Sequence, residues 1–399
     1  MRRVLFVDDE PKILEGLQRM LRSMRHEWEM EFAQDGPSAL ETLKSRHFDV
    51  VVTDMRMPGM DGPMLLSQVR ALHPQIVRIV LSGHSDHELI LSSVGPAHQY
   101  LSKPCDPELL KQTVSRACAL SDLLSNATLT LLVSQMQSLP SLPSIYMQLM
   151  KEVEAADPSI KKIGEIICKD PGMTAKILQM VNSAFFGLRR HISNPTDAVS
   201  LLGLDTIKSL VLSIQIFSQF SSTRIPGFSL TDLWDHNAAV GDLAKKIAKA
   251  EKQSPRVVDD SFAAGLLHEC GKLILAARLP KEYGEMLSLA SEECLPAFEA
   301  ERKVFGATHP EVGAYLLGLW GLPDSIVEAV AFHHSPSQCP VDVFSPLTAV
   351  HVADYLVSES GPPGMRKAAN AELDSVYLAR LGLESRMDSW KAIRESENG

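Results

Sequence analysis

Four short apolar runs in the first 120 residues are each followed directly by residues that can carry chemistry. The residues that follow the runs are Asp8, Asp9 and Glu10, then Asp54, then Ser82 and finally Lys103. Clustered carboxylates repel one another and favour a divalent cation, and Mg²⁺ suits such a site because it takes few protein oxygens together with water and phosphate. A lysine and a hydroxyl opposite would hold phosphoryl oxygens. The chemistry indicated is transfer of a phosphoryl group onto an aspartate carboxylate, which gives an acyl phosphate.

The apolar runs predict the elements that bring these residues together. They cover residues 4–7, 48–53, 77–81 and 100–102, and the first has no polar alternation, which is typical of a strand buried on both faces of a parallel sheet. Helical spacing follows the first run, at Ile13, Leu14, Leu17 and Leu21. Strands that alternate with helices predict a right-handed βαβ layout with helices on both faces of the sheet. Ligands of such sheets bind beyond the carboxyl ends of the strands, where the polar residues lie.

Residues 1–121 resemble the receiver domain of two-component response regulators. The resemblance is carried by Asp8-Asp9, by Asp54 at the start of the segment 54–62, by Ser82-Gly83 and by Lys103-Pro104. It implies a flavodoxin-like α/β fold with a five-stranded parallel sheet, and phosphorylation of Asp54 by a histidine kinase.

The same resemblance implies roles for the residues around Asp54. An acidic pocket formed by Asp8, Asp9, Asp54 and the backbone carbonyl of Arg56 would bind Mg²⁺. Ser82 and Lys103 would bind the phosphoryl group. Tyr100 matches the switch aromatic of the family, and an ordinary core tyrosine is the alternative interpretation.

A helical pattern continues from the receiver-like segment to about residue 137. Leu110, Ala117, Leu124 and Leu131 are spaced by seven, which predicts a linker helix over 122–137. Two interpretations stay open, a homodimer formed through a two-stranded coil and a single helix packed on its own domains.

The second half of the chain is helix-periodic and rich in histidine. Leu139-Pro140 and Leu142-Pro143 mark its start, and the apolar pattern beyond them predicts an all-α bundle. Six of the 13 histidines lie between residues 236 and 351, several beside carboxylates. A lone histidine is more often a satisfied core residue, but burying so many titratable groups is costly unless they are paired or bind metal. Imidazole with carboxylate suits Fe, Mn, Zn or Co, and such a metal could activate water for phosphoester hydrolysis.

Residues 138–335 resemble the HD superfamily, and more narrowly the HDOD (HD-related output) domain. The matching segments are Asp170-Pro171-Gly172, 198–203, Trp234-Asp235-His236, His268-Glu269, 309–313, 320–323 and His333-His334. The resemblance implies the candidate metal ligands His236, His268, Glu269, His309, His333, His334 and Asp354. The His-Asp signature of the superfamily is His268-Glu269 here, which weakens a catalytic interpretation. HDOD domains are regarded as signalling output modules without an established enzymatic activity.

One further residue and one further segment of the second half are candidates for a role. Lys272, four residues after His268, is a candidate phosphate-binding residue because it would lie on the same helix face. Residues 336–399 form a helical extension, which either caps the bundle or contacts a partner.

Composition excludes several classes of function. The chain has 39 basic and 49 acidic side chains and a formal net charge of −10, which disfavours direct nucleic-acid binding. No stretch of about 18 apolar residues predicts a membrane span. Six cysteines without Cys-x-x-Cys spacing favour reduced thiols and a cytoplasmic location.

Two functions are compatible with these features. In the first, phosphorylation of Asp54 gates an HDOD output domain that acts mainly by binding an unknown protein partner. In the alternative, the receiver controls a metal-dependent phosphohydrolase or phosphodiesterase that acts on a nucleotide or a cyclic dinucleotide.

Overall fold

A computed structural model describes residues 1–83, 96–124, 126–136, 139–141, 143–153, 155, 157–182, 192–204, 207, 218–219, 225–359 and 372–395. The chain forms two compact units. Met1–Gln137 form the body of the first, and Ser138–Leu178, Ile192–Leu317 and Leu322–Gly399 form the second.

A five-stranded parallel sheet is the centre of the first unit. Its strands are β1 (Arg2–Val7), β2 (Trp28–Ala33), β3 (Val50–Asp54), β4 (Val77–Ser82) and β5 (Gln99–Ser102). They lie in the order β2-β1-β3-β4-β5, and every neighbouring pair is parallel. This is the flavodoxin-like strand order. The predicted α/β fold with a five-stranded parallel sheet is confirmed.

The strand β2 was not among the four apolar runs. It alternates apolar and acidic residues, with Glu29 and Glu31 between Trp28 and Phe32, and it lies at the edge of the sheet. An edge strand has one free side and tolerates charge, so it lacks the continuous apolar signal of the central strands.

Five helices of the first unit lie within the described residues. They are α1 (Pro11–Met20), α2 (Gly36–Ser45), α3 (Gly62–Leu72), α4 (Pro107–Leu123) and α5 (Ala127–Ser134), with a 3₁₀ turn at Arg22–His26. An aspartate caps the start of three of them, since Asp35, Asp61 and Asp106 accept backbone N–H bonds from the first turn. A proline follows each cap within two residues, where the lost N–H costs nothing.

The prediction of a continuous helix into 122–137 is wrong. The chain leaves the helical conformation at Leu124 (φ −123°, ψ 92°), and a new helix, α5, begins after Asn126. The Asn126 side chain accepts the backbone N–H groups of Thr128 and Leu129, which favours a start at this point over continuation. Leu110, Ala117 and Leu124 of the heptad stripe are buried within this chain, whereas Leu131 is 40% exposed. Three of the four positions are therefore already covered without a second copy.

A buried arginine ties α5 to the sheet. Arg78 on β4 is 1% exposed. Its guanidinium donates hydrogen bonds of 2.7–3.0 Å to four backbone carbonyls, those of Pro74, Ile76, Pro96 and Ser134. Ser134 is the last residue of α5, where carbonyl groups lack helical partners. His98 completes the contact, because its Nδ1 accepts the Arg78 N–H and its Nε2 lies 3.0 Å from the Ser134 oxygen.

Among its described residues, the second unit is helical apart from one short parallel pair, β6 (Pro140–Ser141) with β7 (Ser218–Gln219). Its helices are α6 (Pro143–Val153), α7 (Ile160–Ile167), α8 (Pro171–Val181), α9 (Pro195–Leu202), α10 (Leu230–Ala250), α11 (Pro255–Leu267), α12 (Cys270–Arg278), α13 (Pro280–Glu293), α14 (Ala297–Phe305), α15 (His309–Leu319), α16 (Asp324–Phe332), α17 (Pro346–Glu359), α18 (Ser375–Arg380) and α19 (Met387–Glu395). Short 3₁₀ turns lie at Pro336–Gln338 and Glu384–Arg386. Helices α10 and α16 each pack against both α11 and α17. The all-α architecture predicted for this half is confirmed.

The C-terminal extension packs on this bundle. Tyr377 and Trp390 are fully buried. The Tyr377 hydroxyl lies 2.7 Å from Thr348 Oγ1 on α17, and the Trp390 indole donates to Glu251, which follows α10. The described part of the extension therefore caps the second unit.

Among the described residues, no helix has both the length and the apolar character required to span a bilayer.

We predict that Arg78→Met lowers the stability of the first unit by roughly 3 kcal/mol, because it leaves four buried carbonyls without their donor. Amide hydrogen exchange in α5 should accelerate by about a hundredfold. Arg46→Met is the control, since Arg46 forms only exposed ion pairs with Glu29 and Glu31 and should change neither quantity measurably. Unchanged protection of α5 in Arg78→Met would show that the arginine does not hold this helix.

Candidate functional site

Two carboxylates and a lysine meet at the carboxyl edge of the parallel sheet. Asp8 follows β1 and Asp54 ends β3, and these strands are neighbours in the sheet. The Lys103 ammonium bridges the two carboxylates, 2.6 Å from Asp54 Oδ1 and 2.7 Å from Asp8 Oδ2. Ser82 ends β4 and is buried, and its carbonyl accepts the Lys103 N–H at 2.7 Å. The sequence-based expectation that these residues meet at one edge agrees with this arrangement.

The buried position of this cluster changes its acid–base properties. Burial raises the pKa of Asp54, and the hydrogen bond from Lys103 offsets part of that shift. Burial opposes the charge on Lys103, but hydrogen bonds to Asp54 and Asp8 outweigh it and raise the pKa of the ammonium. The lysine therefore stays charged and holds the two carboxylates at short range. The Lys103 ammonium is one cation that contacts both carboxylates. Their oxygens are also the type of ligand that Mg²⁺ takes, so the residues present fit a Mg²⁺ site.

The turn after Asp54 is held by close backbone packing at Gly62. The Gly62 N–H donates to the carbonyl of Met55 at 3.0 Å. A Cβ at position 62 would lie 2.1 Å from the carbonyl oxygen of Asp54, so only glycine fits without displacing the backbone of that aspartate.

The remaining sheet-edge candidates lie around this cluster. Asp9 is half-buried beside Asp8, and Arg56 is exposed on the turn after Asp54. Tyr100 on β5 is 8% exposed and packs in the apolar core that includes Val80 and Leu66. This environment is compatible with both interpretations of Tyr100.

A second cluster lies in the helical unit, built from residues at helix ends and on two long helices. His236 lies on α10, and Asp354 lies on α17. The other members stand at helix boundaries: His268 and Glu269 after α11, His309 at the start of α15, and His333 and His334 after α16. Close backbone packing at Gly271 helps to position His309, because a Cβ at position 271 would lie 2.0 Å from the His309 carbonyl oxygen.

The imidazoles of this cluster point their Nε2 atoms at one another. The Nε2 atoms of His236 and His268 are 3.3 Å apart, and those of His309 and His333 are 3.4 Å apart. Oxygen acceptors bind the opposite ring nitrogen in three of these rings. The Nδ1 atoms of His268, His309 and His333 lie 2.6–2.8 Å from Gly265 O, Glu301 Oε2 and Val330 O respectively. Since these oxygens only accept, the Nδ1 atoms carry the protons, and in the neutral rings the Nε2 lone pairs face the centre of the cluster.

Two carboxylates complete the cluster. Glu269 Oε2 is 3.5 Å from His309 Nε2, and Asp354 Oδ1 is 3.2 Å from His236 Nε2. The oxygens and ring nitrogens form two sets, each within 4.8 Å, and Glu269 belongs to both: Glu269 with His309, His333 and His334, and Glu269 with His236 and His268. The longer glutamate side chain thus still lies among the imidazoles. Imidazole nitrogens and carboxylate oxygens are ligands that transition metals accept, so a cluster of this composition could hold such an ion.

Burial and neighbouring charges shift several pKa values in this cluster. Burial and the neighbouring imidazoles lower the pKa of His333 well below its usual range, and burial lowers the pKa of His334 to about 3. Burial opposes the charge on Glu269, but Lys272 and His309 hold the pKa of this carboxyl well below its ordinary value. Lys272 Nζ is 2.6 Å from both Glu269 oxygens. The candidate phosphate-binding residue is thus already engaged by a carboxylate in this structure.

Sequence reasoning missed Glu301, which is fully buried on α14 and accepts a hydrogen bond from His309. The available signal was an acidic residue at an otherwise apolar helix position eight residues before a histidine. His351 stands apart from the cluster, because its Nδ1 donates to the His333 carbonyl and its Nε2 accepts the Asp374 N–H.

Comparison with known families agrees with this architecture. The parallel-sheet unit and the helical unit together define a two-component response regulator. Residues 4–115 match the response regulator receiver domain, and residues 139–336 match the HDOD domain. The chain belongs to the response regulators that join an N-terminal receiver domain to a C-terminal HDOD domain.

Individual relatives are similar over parts of their length. An uncharacterized protein from Treponema pallidum (strain Nichols) is 25% identical over 254 residues, which are 64% of this chain and 46% of that protein. The hydrogenase transcriptional regulatory protein HoxA from Cupriavidus necator is 38% identical over 116 residues, which are 29% of this chain and 23% of that protein. The chain thus spans less than half the length of either curated relative. A crystal structure of a virulence factor from Campylobacter jejuni subsp. jejuni is 24% identical, has a TM-score of 0.50, and is matched over 66% of this chain and 95% of that chain, which shows a likeness of fold.

We predict that Gly62→Ala destabilises the first unit by about 2–3 kcal/mol, because the added methyl group must displace the backbone of Asp54. The measurement is a urea series followed by amide hydrogen exchange of β1 and β3, which reports on this unit alone. Gly16→Ala in α1 is the matched control, since its added Cβ has no atom within 4 Å and should be neutral or stabilising. Equal midpoints for the two variants would contradict the packing argument.

Proposed function

We propose that this response regulator is switched by phosphorylation of Asp54 and acts mainly through protein–protein interaction of its HDOD domain. The observation that carries the proposal is the contact of Lys103 with both Asp54 and Asp8 at the sheet edge. The Lys103 ammonium lies within hydrogen-bond distance of both carboxylates, which supports Asp54 as the nucleophile, with Asp8 as its acidic neighbour and Lys103 as the group that receives the phosphoryl oxygens.

The proposed reaction uses these groups in order. An oxygen of Asp54 attacks the phosphorus atom of a phosphohistidine on the kinase, the new P–O bond forms as the P–N bond breaks, and the leaving imidazole nitrogen takes a proton from solvent. Lys103 turns from Asp54 to the phosphoryl oxygens. Asp8, Asp9, Asp54 and the backbone carbonyl of Arg56 would hold Mg²⁺, which would neutralise charge on those oxygens.

Gating requires that the acyl phosphate stabilise one of two states of the chain. We propose that the Ser82 hydroxyl moves to a phosphoryl oxygen and that Tyr100 follows into the space it leaves. Ser82 and Tyr100 lie on the adjacent strands β4 and β5, where Ser82 pairs with Ser102 and Tyr100 pairs with Val80. The HDOD domain then binds its partner with different affinity in the two states, which is the thermodynamic requirement of any such switch.

We predict that wild-type protein incubated with acetyl phosphate and Mg²⁺ incorporates one acid-stable, base-labile phosphoryl group and that Asp54→Asn incorporates none. Asp106→Asn is the matched control, because asparagine caps a helix as well as aspartate does and the exposed Asp106 carboxylate accepts the backbone N–H groups of Glu108 and Leu109. Phosphate-affinity electrophoresis separates the two forms. Incorporation by Asp54→Asn at the wild-type rate would reject Asp54 as the acceptor.

Hydrogen exchange tests the gating step separately. Helices α10–α17 should change their protection when the wild type is phosphorylated and should not change in Asp54→Asn. Identical exchange of the two proteins under phosphorylating conditions would remove the output half of the proposal and leave the acceptor assignment intact.

A second candidate function is a receiver-controlled, metal-dependent phosphohydrolase or phosphodiesterase, with a nucleotide or a cyclic dinucleotide as substrate. The facing Nε2 atoms of the second cluster favour it, since imidazole nitrogens that lie 3.3–3.4 Å apart can share one cation. Fe, Mn or Zn held by His236, His268, Glu269, His309, His333, His334 and Asp354 would supply an activated water. Lys272 would leave Glu269 to bind the substrate phosphate.

We predict that protein purified without chelator carries transition metal and that His268→Ala loses most of it. His47→Ala is the control, because His47 is exposed in the first unit and should leave metal content unchanged. Elemental analysis provides the measurement, and a panel of linear and cyclic nucleotides follows for the loaded protein. A wild type that takes up none of added Fe, Mn or Zn would reject this second function, and the phosphorylation switch would remain.

A further inference from the structure

Glu301 stands in an unusual position for a carboxylate. It lies on α14, is fully buried, and its Oε2 accepts both the backbone N–H and the Nδ1–H of His309, each at 2.7 Å. Its Oε1 is buried without a hydrogen-bond partner among the described residues. Burying a carboxyl oxygen without a hydrogen-bond partner is costly, and packing alone would be served better by an apolar side chain.

The location of His309 explains why a carboxylate is needed there. His268 and His333 each follow a helix, and each ring donates from Nδ1 to the carbonyl three residues earlier, Gly265 or Val330. His309 instead begins α15. A helix start offers unpaired N–H donors and no preceding helical carbonyl, so the ring needs an acceptor from elsewhere in the fold.

We propose that Glu301 is the positioning residue of the helical cluster. It fixes the Nδ1–H tautomer of His309, holds the ring against the first turn of α15, and aims Nε2 at His333 and Glu269. An imidazole that donates to a carboxylate is also a stronger electron-pair donor at its other nitrogen. Glu301 thus performs for His309 the task that helical carbonyls perform for His268 and His333.

The effect of Glu301 on metal affinity rests on the proposed metal site, whereas its effect on the His309 ring does not. The tautomer of His309 is a property of the protein without metal, whereas the effect on affinity needs a cation. Two readouts therefore separate the failure of one proposal from the failure of the other.

The test compares Glu301→Leu and Glu301→Gln with wild type in the full chain. In metal-free protein, long-range ¹H–¹⁵N spectra of the imidazoles, assigned with His309→Gln, should show a single Nδ1–H form of His309 in wild type. Glu301→Leu should give a mixture of tautomers. Glu301→Gln keeps an acceptor oxygen and should retain most of the Nδ1–H form. If the role of Glu301 were purely steric, Glu301→Gln and Glu301→Leu would instead give the same tautomer distribution.

Zinc affinity supplies the second readout. The Kd for Zn²⁺, measured by competition with a chelator, should rise about 10- to 100-fold in Glu301→Leu and by less in Glu301→Gln. Glu299→Gln is the matched control, because Glu299 is exposed on the same helix and should change neither the tautomer nor the Kd.

The possible results distinguish failure of the positioning role from failure of the metal proposal. An unchanged His309 tautomer in Glu301→Leu overturns the positioning role, whatever the metal affinity. If Glu301→Leu does not fold, Glu301→Met takes its place, because it also removes both acceptor oxygens, and an unchanged His309 tautomer in that variant overturns the positioning role. A wild type with the expected tautomer and no Zn²⁺ binding supports Glu301 as a positioning residue and rejects the metal proposal alone.

Discussion

The cost of burying charge is the constraint on which both domains depend. Each domain gathers carboxylates in a place where water is largely excluded, and each holds one of them with a lysine at 2.6 Å, Lys103 on Asp54 and Lys272 on Glu269. An isolated buried carboxylate would take up a proton or force the site open. Each lysine acts to lower the pKa of the carboxyl that it contacts, which opposes protonation and helps to keep the cluster together.

The ends of secondary structure elements supply the remaining geometry. Parallel strands β1 and β3 deliver Asp8 and Asp54 to one edge, and this follows from the strand order alone. In the helical unit, residues placed just after a helix find a free carbonyl for Nδ1, as His268 and His333 do. The residue at the start of a helix cannot use this solution, so α14 must bring Glu301 to His309. The placement of α14 is thus a chemical requirement of the cluster as well as a packing arrangement.

These rules explain which parts of the molecule could be predicted from the sequence. The central strands and the sheet-edge residues are visible because a continuous apolar run and the polar residue that ends it lie together in the chain. The edge strand β2 is hidden, since Glu29 and Glu31 give it a mixed pattern. The break between α4 and α5 is also hidden, because the heptad spacing continues through Leu124 while Asn126 caps a new helix. Arg78 could not be assigned, because its partners include the carbonyls of Pro96 and Ser134, which no local spacing links to it. For Glu301 the one signal, an acidic residue eight positions before His309, does not by itself identify a contact.

Because each site holds a carboxylate with a lysine, the binding of a cation and the binding of an anionic group are coupled at that site. A cation that binds the carboxylates competes with the lysine ammonium, and an anionic group that binds the lysine releases the carboxylates. Cation and phosphoryl ligand therefore favour each other's binding, and linkage requires that the preference be equal in both directions. At the sheet edge, Lys103 contacts both acids and the exchange is complete, so the two ligands are expected to bind nearly as a pair. In the helical cluster Lys272 contacts Glu269 alone, whereas Asp354 is paired with imidazoles. A metal there can bind through His236, His268 and Asp354 without displacing the lysine, so the coupling between cation and phosphate is weaker than in the receiver domain.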